Sequence, residues 1–297
     1  MTPDKDDVAG VDPTPEEHRR RTPVVVVLLA CVALAVVAVG GFLLWPRGAS
    51  EITTEDAVAG FREEAAGEGS ADSPDTSAGT ASAEDAGRST PTPGVYEYTA
   101  SGSEQVKFGP LPTEDRPMPD VVTLVVGDAI EDPDGTTCFE WTLNLFEQHT
   151  EDTTWCTDGQ GTLSLDDHTK HQTIGALSPD VNLGCDPNTL LSPDSDTSSI
   201  ACRLTLSGGP AQVDAELAAT ATTGPSEESE VAGATLEATP LSIDYEVSGG
   251  LSGTWQESFL LGEDLLPVRI AHNLDLDGPA TLTESFTLEL LSTQPAR

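Results

Sequence analysis

The stretch LSIDYEV, residues 241–247, indicates the fold class of this chain, because apolar and polar residues alternate along it without interruption. The apolar residues occupy positions 241, 243, 245 and 247, and the polar residues occupy the positions between them. A period of two is typical of a β-strand that buries one face and exposes the other to water. The stretch therefore predicts a strand whose odd-numbered side chains face a core.

Similar stretches occur on both sides of this strand, and clusters of Gly, Pro, Asp or Ser separate most of them, as expected of strands and turns. They cover residues 95–100, 121–126, 139–146, 162–165, 201–206, 212–220, 254–261, 268–276 and 282–291. Within residues 94–297, at most a turn or two of helix is predicted, near 187–191. Residues 94–297 are therefore predicted to form a mainly β, antiparallel domain, built as a curved sheet, a half-barrel or a sandwich.

Three polar residues share strand faces with apolar ones in this pattern, namely Glu257, His272 and Glu284. Polar groups set among apolar side chains on the concave face of a sheet can orient a ligand in a cavity. The same pattern also arises where a strand leaves the core and meets water. The sequence leaves both interpretations open for these three residues.

Residues 166–171, DDHTKH, are the densest group of metal-ligand types, but His168 and His171 would point to opposite faces of a strand. We interpret this segment as a solvated turn. The Asp-x-Asp-Gly segments at 132–135 and 275–278 are also interpreted as turns, with weak Ca²⁺ binding as the alternative. The sequence thus predicts no metal and no cofactor. Because the usual catalytic motifs are missing, it also predicts no catalytic residues and no enzymatic activity.

Four cysteines lie in the predicted β domain: Cys138, Cys156, Cys185 and Cys202. Four cysteines allow three pairings, and the short spacings favour Cys138–Cys156 and Cys185–Cys202. An even set of cysteines in disulfides is typical of an oxidising, extracytoplasmic compartment.

Residues 23–46 are predicted to form a transmembrane helix, because Val24 to Trp45 carries no charge and is long enough to span a bilayer. The arginines at 19–21 place the N-terminus in the cytoplasm, so residues 1–22 form a disordered cytoplasmic tail and the rest is exported. A cleaved signal peptide and a lipoprotein anchor at Cys31 are the alternatives. We favour Cys31 as a small apolar residue within the span.

Residues 47–93 are predicted to connect this anchor to the β domain. Ala57, Val58, Phe61 and Ala65 share one face of a juxtamembrane helix over 51–65, which follows the capping residue Thr53 or Thr54. The helix lies against the bilayer or the exported domain, or forms only transiently. Residues 66–93 contain no large apolar side chain and are predicted to be a disordered linker.

The charge of the chain excludes two classes of partner. The 51 acidic and 13 basic residues give a formal net charge of −38, and residues 94–297 carry 35 acidic and 6 basic residues. Such a surface does not bind nucleic acid or attract anionic lipid headgroups. It resembles surfaces adapted to high salt, where repulsion between carboxylates is screened.

Three segments carry a resemblance to a known group of proteins: TEDAVAGFR at 54–62, GVYEY at 94–98 and SFTLELLS at 285–292. Together they resemble uncharacterised single-pass envelope proteins of high-GC Gram-positive bacteria. WQESF at 255–259 with LPVR at 266–269 is similar to the paired strands of half-barrel lipoprotein carriers. That second resemblance implies a cavity for a lipid-like ligand.

The predicted function is that of a membrane-tethered, extracytoplasmic binding or interaction module of the cell envelope. The alternative is a carrier of a lipid-like hydrophobic ligand in a half-barrel cavity. The predicted partners are therefore the membrane, through one integral helix, and either an envelope protein or a hydrophobic ligand. A cavity of several hundred cubic ångströms would favour the carrier, and a filled core would favour the interaction module.

Overall fold

A computed structural model of the chain describes residues 49–68, 90–109, 112–158, 160–208 and 212–297. The predicted tail (1–22), the predicted membrane span (23–46) and Cys31 lie outside these described residues. Of the linker predicted over 66–93, residues 69–89 also lie outside them, and residues 66–68 belong to a helix instead. Within the described ranges, no helix is both long and apolar enough to cross a membrane.

The described chain consists of one helix and sixteen antiparallel strands. The helix, α1, spans Thr54–Glu68. The strands are β1 (Gly94–Phe108), β2 (Glu114–Pro117), β3 (Val121–Val126), β4 (Ile130–Glu131), β5 (Thr137–Phe146), β6 (His149–Thr157), β7 (Leu163–Gln172), β8 (Asp180–Cys185), β9 (Thr189–Leu191), β10 (Thr197–Ser207), β11 (Val213–Thr223), β12 (Glu227–Val231), β13 (Ala234–Gly249), β14 (Ser252–Gly262), β15 (Pro267–Asp277) and β16 (Ala280–Leu290).

Twelve of these strands close into a barrel. Their hydrogen-bonded order is β11, β10, β8, β7, β6, β5, β3, β1, β16, β15, β14 and β13, and β13 pairs back to β11. This last pairing runs from Ala215 opposite Gly249 to Thr223 opposite Leu241. The predicted mainly β, antiparallel fold is confirmed. The curved sheet, half-barrel and sandwich are wrong in detail, because the β11–β13 pairing joins the two ends of the sheet and leaves no free edge in the ring.

The stretch 241–247 lies in β13 and follows the predicted alternation. Leu241, Ile243, Tyr245 and Val247 are buried, and the residues between them are not. These four side chains belong to one hydrophobic core inside the barrel. The period-two pattern thus identified correctly which face of this strand turns inward.

The predicted turn at 166–171 is wrong, because these residues form the second half of β7. His168 is buried inside the barrel, whereas His171 is half-exposed outside, so the two rings do point to opposite faces. On the outer surface, His171 Nδ1 lies 2.8 Å from Asp180 Oδ1 and His171 Nε2 lies 2.9 Å from Asp152 Oδ2.

A β-bulge interrupts the alternation of apolar and polar residues in β7, so the sequence of this segment does not show the period of a strand. Leu165 pairs with Trp155 and Asp167 pairs with Thr154, so Asp166 is an extra residue between the two pairs. One extra residue shifts the alternation and exchanges the two faces of the strand beyond it. Odd-numbered side chains therefore face inward before Asp166, and even-numbered side chains face inward after it.

The other predicted turns have mixed outcomes. In the segment 132–135, between β4 and β5, the Gly135 amide donates a hydrogen bond to the Asp132 carbonyl at 2.9 Å, so this segment is a turn. The segment 275–278 contains the end of β15 and the start of the short connection to β16. The helical turn predicted near 187–191 is wrong, because β9 occupies most of it.

Helix α1 begins after Thr53, as the sequence predicted. The Thr53 hydroxyl accepts a hydrogen bond from the Asp56 amide at 3.2 Å, which satisfies a donor that the first turn leaves free. Ala57 and Val58 are buried against Val95 of β1. The predicted apolar face of the helix therefore packs on the outside of the barrel.

The two favoured disulfides are confirmed. Cys138–Cys156 joins β5 to β6, and Cys185–Cys202 joins β8 to β10, with Cα atoms 4.0 Å apart in both. In each case the cysteines lie directly opposite one another on paired strands. Each bridge therefore reinforces a contact that the sheet already makes.

Candidate functional site

Charged side chains form a network inside the barrel, and Lys170 of β7 lies within it. Lys170 Nζ is 2.7 Å from Glu284 Oε2 and 3.0 Å from Glu151 Oε1. It also lies 5.1 Å from the ring centroid of Trp255, within range of a cation–π interaction. All three charged residues are buried. An ammonium group taken out of water needs such partners, because an unpaired buried charge is strongly destabilising.

His149 connects two carboxylates of this network. Its Nδ1 lies 2.7 Å from Glu104 Oε2, and its Nε2 lies 2.8 Å from Glu151 Oε1. Because an ionised carboxylate can only accept hydrogen bonds, both nitrogens donate and the ring is protonated. Burial by itself lowers the pKa of this imidazole, but the charges of Glu104 and Glu284 and the two hydrogen bonds raise it to about 10.

Arg116 of β2 extends the network from Glu104. Its Nη1 donates to Glu104 Oε1 at 2.8 Å, and its Nη2 donates to the Thr173 carbonyl at 2.5 Å and to Glu114. Gln172 Nε2 donates to Glu104 Oε2 at 3.2 Å. Glu104 thus accepts hydrogen bonds on both of its oxygens although it is fully buried.

The carboxylates at the middle of the network are held in their ionised form. Burial raises the pKa of Glu151, but Lys170 and His149 together bring it well below its usual value. The pKa of Glu284 is lowered in the same way, because Lys170 and His149 outweigh the effect of burial. These groups therefore act as permanent charges at neutral pH.

The structure brings the three predicted cavity residues together. His272 Nε2 lies 2.8 Å from Glu284 Oε2, and His272 Nδ1 lies 3.8 Å from Glu257 Oε1. His272 and Glu284 are buried, and Glu257 is partly exposed. Burial and the charge of Lys170 lower the pKa of His272, but Glu257 and Glu284 raise it above its usual value. All three residues are members of the ion-pair network.

The sequence pattern did not predict the other members of the network, which are Glu104, Glu114, Arg116, His149, Glu151, Lys170 and Gln172. One signal was available, because Glu104 shares the even-numbered face of β1 with the buried Tyr98. Extending the strand predicted at 95–100 would have placed Glu104 inside. Lys170 gave no such signal, because the bulge at Asp166 exchanges the faces of β7.

Two small cavities lie beside the network. One, of about 30 Å³, is lined by aromatic residues together with Glu151, Glu257 and His272. It has room for about two water molecules at roughly 10–15 Å³ each. Four buried polar atoms on residues that line it have no partner among the described residues: Trp141 Nε1, Trp155 Nε1, His168 Nε2 and the Tyr245 hydroxyl. The second cavity, of about 50 Å³, has mostly aliphatic walls.

Glu104, His149 and Glu284 can each offer one ligand atom within 4.8 Å of the others. However, Arg116 already neutralises Glu104, and Lys170 neutralises Glu284. His149 has both of its nitrogens engaged by carboxylates. The three residues therefore belong to an ion-pair network, in which basic side chains supply the positive charge that a metal ion would otherwise supply.

A groove of about 250 Å³ lies on the outside of the barrel, between α1 and strands β3 to β6. Its apolar lining includes Phe61, Ala65, Val125, Ile130 and Phe139, and its acidic lining comprises Glu64, Asp128 and Glu140. None of its described lining residues is Lys or Arg. Ile130 is 68% exposed, which is unusual for a large apolar side chain in this structure. We call this feature the α1 groove.

The pKa of Glu140 on β5 indicates the sign of the electrostatic potential beside the α1 groove. Partial burial raises the pKa of this carboxyl, and the nearby carboxylates of Asp152, Glu64 and Asp167 raise it further. Carboxylates on α1, β6 and β7 therefore make the electrostatic potential at Glu140 negative.

Comparison of the chain with known protein families, with curated proteins and with solved structures finds no match. The resemblances to envelope proteins and to half-barrel carriers therefore remain predictions.

Proposed function

We propose that this chain is a membrane-tethered, extracytoplasmic interaction module of the cell envelope and that it is not an enzyme. The observation that carries the proposal is the filled interior of the barrel, where paired charges border cavities of about 30 and 50 Å³. Pockets for drug-sized ligands usually measure roughly 300–1,000 Å³. A barrel packed in this way leaves its outer surface for binding.

The tether and the export of the barrel are parts of the same proposal. They are supported by the uncharged segment Val24 to Trp45 with its preceding arginines, and by the two disulfides, which suit an oxidising compartment. Helix α1 packs on β1, so the chain that leads from the proposed anchor is held against the barrel.

The interior groups do not suit acid–base catalysis. A general acid or base works best with a pKa near the pH of the reaction. The pKa values of Glu151 and Glu284 lie below their usual range, and that of Lys170 is raised, since Glu151 and Glu284 outweigh its burial. These groups are also buried and paired, so a substrate would have to displace ion pairs to reach them.

The alternative, a lipid carrier, is tested by asking whether the folded barrel retains a lipid. A protease site inserted after Gly48 in the full chain would allow residues 49–297 to be released from membranes after folding. We expect mass spectrometry of the released protein to detect no stoichiometric lipid. Stoichiometric lipid would overturn the interaction module and favour the carrier. As a control, membranes that contain the chain without the inserted site are treated with the same protease. Lipid found in that sample has been carried over in bilayer fragments.

A further inference from the structure

We propose that the α1 groove docks a basic, partly apolar peptide segment of an envelope partner. The inference rests on the proposed function and names the surface and the kind of partner through which it acts.

The first support is the shape and the apolar lining of the groove. Phe61 on the helix and Val125 on β3 lie partly buried along it, and the exposed Ile130 lies at β4. Its volume of about 250 Å³ is several times that of either interior cavity. A large apolar side chain of a partner would cover these surfaces and remove them from water.

The second support is charge. Glu64 and Glu140 approach the groove from α1 and β5, and Asp128 lies beyond the end of β3. Burial has the largest effect on the raised pKa of Glu140, and Glu64 raises it further, so these two carboxylates repel one another. A Lys or Arg side chain within about 4–6 Å would replace this repulsion by attraction. The groove thus complements a positive segment.

Charge also argues against two other occupants. The segment 69–89 follows α1 directly, but it carries four acidic residues and one arginine. A second copy of the barrel would bring another 35 acidic against 6 basic residues from 94–297. Either occupant would add negative charge to a groove whose described lining holds no Lys or Arg, so a basic partner fits better.

The test uses the full chain in a neutral detergent and a fluorescent twelve-residue synthetic peptide of Lys and Leu, with fluorescence anisotropy as the readout. The groove variant is Glu64→Gln with Glu140→Gln. The control variant is Glu227→Gln with Glu228→Gln, on exposed positions of β12. Strand β12 pairs with β13, which is six strands from β5 in either direction around the ring. Both variants remove two negative charges.

We expect the groove variant to weaken peptide binding about fivefold, as the loss of two partly exposed charge pairs predicts, and the control variant to change it little. Ile130→Ser, which leaves the charge unchanged, should also weaken binding. Near-ultraviolet circular dichroism verifies that each variant is folded. Equal losses in the groove and control variants would overturn the proposal, because they would mean general attraction to an acidic surface.

Failure of this proposal can be told apart from failure of the proposed function. If the released barrel carries no lipid but the peptide binds the groove variant as well as the wild type, the groove is wrong and the interaction module stands. If the barrel carries stoichiometric lipid, the interaction module is wrong whatever the peptide does. Absence of any peptide binding to the wild type would also overturn the groove.

Discussion

Inside the barrel, Glu284 is fully buried, and yet its pKa lies below the usual value because Lys170 and His149 are close to it. In the α1 groove, Glu140 lies on the outer surface of the barrel, and its pKa is raised, by partial burial and by the neighbouring carboxylates. Burial raises the pKa of both groups, so the difference comes from their neighbours. The interior carboxylate has basic side chains beside it, whereas the carboxylate in the groove has acidic ones.

The strongest test of this comparison removes the central cation of the interior. Lys170→Ala leaves Glu151 and Glu284 buried without their ammonium partner, which should destabilise the fold by about 3–5 kcal/mol. Lys107→Ala is the matched control, because Lys107 lies on an exposed position of β1. Urea unfolding of both variants measures the difference. Similar stabilities would mean that the interior ion pairs do not hold the barrel together.

The pH dependence of stability tests the protonated state of His149. The pKa of this group is about 10 in the folded protein against 6.5 for an ordinary histidine. A raised pKa means that the folded state binds the proton more tightly than the unfolded state does. Protonation of His149 therefore stabilises the folded state fully below pH 6.5, and this contribution is lost as the pH rises to 10. We expect the free energy of unfolding to fall by on the order of a few kcal/mol over this interval.

The matched variant for the pH experiment is His149→Gln, which keeps hydrogen-bonding capacity but does not titrate in this range. Its free energy of unfolding should be lower at pH 6.5 and should change less up to pH 10. If the wild type and the variant show the same slope, the imidazole between Glu104 and Glu151 is not the group responsible.

Salt tests the outer surface, which carries most of the acidic excess. Raising NaCl to about 1 M shortens the screening length to about 3 Å, which weakens repulsion between exposed carboxylates and affects buried pairs much less. We expect the melting temperature of the full chain to rise, as differential scanning calorimetry can measure. A falling melting temperature would mean that screening of attractive pairs outweighs this relief.

The smallest expected effect comes from Glu140→Gln. A carboxyl whose pKa is raised destabilises the folded state once it is ionised, so its removal should stabilise the barrel at pH 7 by about a few tenths of a kcal/mol. Glu228→Gln, on the far side of the ring, should change stability less. Loss of stability in Glu140→Gln would show that this carboxylate makes a favourable contact.

Alternation in the sequence was sufficient to predict the antiparallel β fold and to place Glu257, His272 and Glu284 on the apolar faces of their strands, but it left open whether these residues face a cavity or meet water. It could not predict Lys170, because the position of a β-bulge depends on how β6 and β7 pair. Closure of the ring was equally hidden, since β11 pairs with β13 and not with β12, the strand that follows it in the sequence. The residues of a strand themselves indicate which of its faces points to the core. The register of the strand and the closure of the ring depend on strands that are distant in the sequence.

The pairing of the first strand with the last has a consequence for how the barrel forms. Strand β1 pairs with β16 from Tyr98 opposite Leu290 to Phe108 opposite Ala280, so the ring closes only when nearly the whole chain is present. Contacts so distant in sequence form slowly, because a long loop must first be ordered. Until then β1 has an unpaired edge that can join other chains. Residues 280–290 must therefore be in place before this edge of β1 is covered.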